Sequence, residues 1–134
     1  MITCDFWGSK NTNSQKEEEF EPPKTIYKFL DSFYPENFLM SKKYLNLVLE
    51  NESIEMVFAT LAKHMRDLFW IKSDPKTMSY PTWRMEKLKM QAKKYSLQEL
   101  KEMIKNLSKI DIKVKTSDKT ILTLLDLLII RKLK

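Results

Sequence analysis

The sequence predicts an all-α protein, a bundle of five to six helices with short connections, on three observations. No stretch alternates apolar and polar residues for long enough to read as a strand. Apolar residues instead recur at gaps of three and four along several segments, which places them on single helical faces. Pro35, Pro75 and Pro81 fall between those segments, and the one glycine of the 134 residues is Gly8, so no glycine-rich turn interrupts the helical pattern.

The stretch from Ser96 to Lys115 is the clearest element and is expected to organise the rest. Ser96 followed by Glu99 is a capping-box pair. Leu97, Leu100, Ile104, Leu107 and Val114 then line one face. Asp111 occupies the position where that stripe calls for an apolar residue. A carboxylate there is costly to bury without a charged or hydrogen-bonding partner, so Asp111 is expected to be at least half buried against Arg66, Lys115 or a backbone donor.

Taken in order, residues 1–24 show no sustained period and are read as a mobile leader or the remnant of a longer chain, ahead of a helical domain over 25–134. Phe6 and Trp7 could serve there as a short docking motif. Thr25 can cap a helix running to Phe33, with Ile26, Phe29, Leu30 and Phe33 inward and Pro35 ending it. A second helix spans Glu36 to Glu50, with Phe38, Leu39, Tyr44, Leu45, Val48 and Leu49 on a broad apolar side. Ser53 starts the third, where Ile54, Phe58, Leu61, Met65 and Leu68 form a stripe widened by Val57, Phe69 and Trp70. His64 and Arg66 flank it, and His64 reads as a partly exposed helical residue rather than an acid or base.

A loop covers Lys72 to Pro81, and the helix that follows places Trp83 or Arg84, Leu88, Ala92 and Tyr95 inward. Its basic residues Arg84, Lys87, Lys89, Lys93 and Lys94 make a candidate nucleic-acid face. Thr116, Ser117 and Asp118 break the chain, with Asp118 the expected cap of a last helix from Lys119 to Leu133. That helix is apolar nearly all round, more than one inward face absorbs, so Leu124, Leu127 and Leu128 are candidate subunit-interface residues.

Charge and composition narrow the function. Residues 1–50 carry six Lys and eight acids, whereas residues 51–134 carry eighteen Lys or Arg and ten acids. The helical body is therefore basic, which suits either solvated lysines or a weak contact with DNA. One Cys and one His supply no zinc set, no disulfide and no supported nucleophile pair. No phosphate-cradling glycine loop and no paired carboxylates on a shared face are visible, so no catalytic residue, cofactor, metal or small-molecule substrate is expected. The most apolar run, from Ile121 to Ile130, is too short to span a bilayer, and a cytoplasmic location without membrane attachment is expected.

The third segment ending LAKHMRDLFWIK, the proline-started segment PTWRMEKLKMQAKKY running into SLQEL, and the ending LSKIDIKVKTSDKTILTLLDLLIIRKL together resemble the C-terminal helical domain of the delta subunit of the bacterial DNA polymerase III clamp loader. The resemblance covers about 110 residues and rests on no single diagnostic motif. It implies an all-helical collar domain that packs against other loader subunits in a ring, with Asp111 and Lys115 at matching places and Arg66 before the last turn of its helix. Ser117 stands where the family has Gly, and the insert before the proline-started helix is shorter. The family's two ATPase-like N-terminal domains have no counterpart in this sequence, so clamp opening does not carry over. The expected role is a non-catalytic assembly module of a replication clamp loader, bound to loader subunits or to itself. The alternative is a small basic helical nucleic-acid-binding protein.

Overall fold

The computed structural model describes residues 24–134; the expectations for the leader and for Phe6 and Trp7 lie outside them. Six α-helices follow one another: α1 (Lys24–Ser32), α2 (Phe38–Val48), α3 (Ile54–Ser73), α4 (Thr82–Ala92), α5 (Leu97–Thr116) and α6 (Ile121–Leu133), with a short 3-10 turn (Pro75–Thr77) before α4. No strand occurs among the described residues. The all-α bundle read from the sequence is the observed architecture.

Local chemistry sets most of the boundaries. Ser53 accepts a hydrogen bond from the Met56 amide and starts α3. The Ser96–Glu99 capping box forms in both directions, Glu99 N to Ser96 Oγ at 3.0 Å and Ser96 N to Glu99 Oε1 at 2.8 Å. The end of α1 is held by Asn37, whose side-chain amide donates to the Ser32 carbonyl at 2.8 Å. Three boundaries differ from expectation. Thr25 lies inside α1 rather than capping it. Glu36 adopts a left-handed backbone with φ 71°, which forces a turn and delays α2 to Phe38. Thr120, not Asp118, caps α6 by accepting from the Thr123 amide at 3.2 Å.

The bundle is organised around α3 rather than α5. α3 packs against α1, α4, α5 and α6, whereas α1 pairs mainly with α2, and α6 rests on α2 and α5. The reason is the breadth of its apolar surface: Val57, Leu61, Met65, Leu68 and Ile71 are all buried. α5 offers only one stripe. That stripe is Leu100, Met103, Leu107 and Ile110, all buried, while Leu97 and Asp111 fall outside it. Leu39 is also displaced from the expected core and is 77% exposed on α2. Tyr95 closes the base of the bundle, its buried hydroxyl donating to the Phe33 carbonyl across 62 residues of sequence. Burial pushes that phenol well above its usual range.

Candidate functional site

Among the described residues Asp67 is the buried carboxylate, and α3 and α4 meet on it. Its oxygens accept from Lys63 Nζ at 3.2 Å, from Tyr80 Oη at 3.1 and 3.2 Å, and from Arg84 Nη2 at 3.4 Å. Lys63 also donates to Tyr80 Oη at 2.8 Å. The Arg84 guanidinium lies 3.9 Å from the centre of the Tyr80 ring, a cation–π contact. A carboxylate with these three partners is neither unpaired nor poorly hydrogen-bonded, which is the condition for tolerating it in the interior.

Asp111 does not fill that role. Its side chain is 55% exposed and pairs with Lys115 at 3.2 Å one turn away on the same helix. The heptad seam runs through Met103 and Ile110, and Asp111 sits one position round toward solvent. Arg66 is exposed and lines a half-enclosed cavity of about 270 Å³ with Asp111 between α3 and α5, with no ion pair between them. The expected pairing of Asp111 with Lys115 is found, but on the surface.

His64, expected to be partly exposed, is buried, because the face it shares with Asp67 and Ile71 lies under α4. It contributes to a half-enclosed pocket of about 260 Å³ where α1, α3 and α4 come together. α1 and α4 both rest on α3 but touch each other little. The Gln91 amide and Lys87 Nζ, the latter at 3.8 Å, reach across to the Asp31 carboxylate and bridge the gap. Leu30 and Leu88 form the apolar lining, and Trp83, 68% exposed, stands at the mouth. The His64 Nε2 atom is buried without a hydrogen-bond partner among the described residues. Burial first, then the charges of Arg84, Lys87 and Lys63, lower its pKa to about 3, against the opposing hydrogen-bonding influence of the Gln91 side chain. The imidazole is therefore neutral at ordinary pH.

Of the five basic residues assigned to a nucleic-acid face, Lys87, Lys89, Lys93 and Lys94 are exposed and Arg84 is half-buried. Arg84 turns inward to Asp67, Lys87 reaches Asp31, and Lys94 lies over the Tyr34 ring at 4.2 Å. Lys89 on α4 and Lys93 just past its end are exposed without an ion pair among the described residues. On α6, Leu124 and Leu128 are core residues, 8% and 1% exposed, so they are not available as an interface. Leu127 is 52% exposed, and Ile130 at 44% and Leu122 at 37% accompany it. Lys42 on α2 pairs with Asp126 on α6 at 2.6 Å beside these side chains in sequence.

Asp67 and the pocket were missed in the sequence. The available signal was the row His64, Asp67, Ile71 at gaps of three and four, a second inward face on a helix read as having only one. Among the described residues no three His, Cys, Asp or Glu side chains gather as a metal set, and no helix is long and apolar enough to cross a membrane. The fold and its sites thus define, over the described residues, a small helical bundle with an ion-paired seam, a half-enclosed pocket between α1, α3 and α4 and an uncovered apolar edge on its last helix. No family model, curated protein or solved structure matches the chain.

Proposed function

We propose that this chain is a non-catalytic assembly module that packs helix against helix on partner subunits, in the manner of the collar domain of a DNA replication clamp loader. The observation that carries this reading is the outer side of α6, where Leu127, Ile130 and Leu122 remain exposed while Leu124, Leu125, Leu128, Ile129 and Leu133 of the same helix are buried. Covering a leucine or isoleucine side chain contributes about 1.5–3 kcal/mol. Three of them on a single helix favour burial under another helix. The resemblance of the segments around His64, Pro81 and Asp111 to the delta-subunit collar supplies the kind of partner. The rival nucleic-acid reading is weakened by the inward or ion-paired placement of Arg84 and Lys87.

Mixing the chain with purified clamp-loader subunits on a size-exclusion column tests the proposal. The expected result is a complex that survives high salt and is lost in a Leu127→Asp, Ile130→Asp double variant. Failure to form any complex, together with DNA binding that weakens steeply as salt rises, would replace this reading with the nucleic-acid one.

A further inference from the structure

We propose that the segment 17–23, which leads into α1, docks on the exposed indole of Trp83, with Phe20, Pro22 and Pro23 against the ring and the glutamates beside the start of α4. This surface is separate from the α6 edge and does not depend on the assembly reading.

The register of α1 against α4 puts the two together. Lys87 Nζ lies 5.6 Å from the centre of the Tyr27 ring, the Gln91 amide donates to the Asp31 carboxylate, and Lys94 Nζ lies 4.2 Å from the centre of the Tyr34 ring. Each of these pairs is 60 residues apart in sequence, so α1 and α4 run parallel and start at the same end of the bundle. Continued back by one turn, the same register sets Lys24, the first residue of α1, level with Arg84, and the residue before it level with Trp83. The chain therefore enters α1 beside an indole that is 68% exposed. Tyr27 and Trp83 both line the mouth of the pocket below, so a segment lying across Trp83 covers that mouth.

The residue types of the segment suit such a seat. Two consecutive prolines hold an extended backbone that rises about 3.1 Å per residue, which keeps Phe20 within about 12 Å of the start of α1. Proline has its φ already fixed and gives up little freedom on docking, and extended proline segments dock on aromatic side chains for that reason. The phenylalanine ring stacks or packs edge-on against an indole. A tether of a few residues makes the contact intramolecular, so weak packing suffices.

Charge favours the same occupant. Residues 1–23 carry two Lys and five acids, four of them the glutamates at 17, 18, 19 and 21, whereas residues 24–134 carry twenty-two Lys or Arg and thirteen acids. Neither α1 nor α4 has an acid in its first turn, and being parallel they set their positive ends side by side. A second copy of the chain is disfavoured at this surface, because Lys87, Lys89, Lys93 and Lys94 are exposed along and just past α4 and a copy would bring the same charges against them.

Nuclear Overhauser contacts in the full chain test the docking. The expected result is contacts from the Trp83 ring protons to Phe20 and to Pro22 or Pro23, unchanged on dilution, with backbone order parameters over 17–23 above about 0.6, the level below which a segment counts as flexible. Phe20→Ser alters none of the six helices and should remove these contacts. In a chain carrying Trp7→Phe and Trp70→Phe, where Trp83 alone emits, the same substitution should raise acrylamide quenching about two-fold, as one of the two faces of the indole opens to solvent. Trp83→Ala, at an exposed position, should drop the order parameters of 17–23 below about 0.6. A wild type with no contact between Trp83 and this segment, or quenching that ignores Phe20→Ser, would overturn the proposal. Contacts to Phe6 or Trp7 in place of Phe20 would give the indole to another stretch, and contacts that fade on dilution would give it to a second copy; both outcomes overturn the assignment to 17–23.

Discussion

Lowering the pH should destabilise this protein through one residue. His64 titrates at 6.5 when solvated and at about 3 in the folded state. Between those values the unfolded chain binds a proton that the folded chain refuses. Stability therefore rises with pH across this window and is lost as pH falls from 6.5 toward 3. Within it the slope is about 1.4 kcal/mol per pH unit for one proton, so going from about pH 7 to about pH 5 removes about 2 kcal/mol. That is a large share of the 5–15 kcal/mol typical of a folded domain. Ordinary carboxylates titrate near 4, so about pH 5 separates the imidazole from them.

Urea unfolding of the wild type and of His64→Gln at the two pH values measures this directly. The wild type should lose about 2 kcal/mol, seen as a lower midpoint at unchanged m. The glutamine variant, which has no charge to gain, should show a nearly level profile over the same range. A wild type equally stable at both values, or a variant that keeps the slope, would refute the burial argument for His64.

Asp67→Ala should cost about 3–5 kcal/mol, since it removes the buried carboxylate that Arg84, Lys63 and Tyr80 share, whereas Asp111→Ala should cost under about 0.5 kcal/mol as an exposed pair on one helix; paired urea curves compare them. Tyr95→Phe should lose about 1–3 kcal/mol by leaving the Phe33 carbonyl buried without its donor, measurable as a drop in melting temperature. On α6, Leu125→Ala should cost about 2–5 kcal/mol and Leu127→Ala far less, because Leu125 is fully enclosed and Leu127 is half exposed; calorimetry of the two variants distinguishes them.

Helix number, helix order and most of the core were legible because each depends on short-range pattern. Ile26, Phe29, Leu30 and Phe33 recur at helical spacing, and all are buried. Ser53 and Ser96 announce two helix starts that form where expected. Asp111 shows where that kind of reading fails. A seven-residue repeat fixes Leu100, Leu107 and Val114 on one face but leaves two adjacent positions for the residue between them. Met103 or Ile104, and Ile110 or Asp111, satisfy the spacing equally well. Packing against α3 chose Met103 and Ile110, and nothing local in the sequence encodes that choice.

The site was hidden for a related reason. A helix that is central to a bundle has two inward faces, and its second face need not be apolar where the neighbours bring their own polar groups. On α3 that face carries His64 and Asp67, and α4 meets it with Arg84, Lys87 and Gln91 rather than with a second apolar row. Arg84 is drawn down onto Asp67 and seats the start of α4 against α3. Lys87 and Gln91, further along, reach sideways to Asp31 on α1. Long polar side chains thus do the bridging between α1 and α4 that leucines would do in a closed core, and they leave the floor between them open. The pocket over His64 and the buried ion pair at Asp67 are two results of one substitution of polar for apolar side chains along a single inward face. Replacing Gln91 by leucine should therefore close the pocket and stabilise the fold together. An equally open pocket in the Gln91→Leu protein, read from unchanged solvent protection around Trp83, would show that something other than these polar bridges holds α1 and α4 apart.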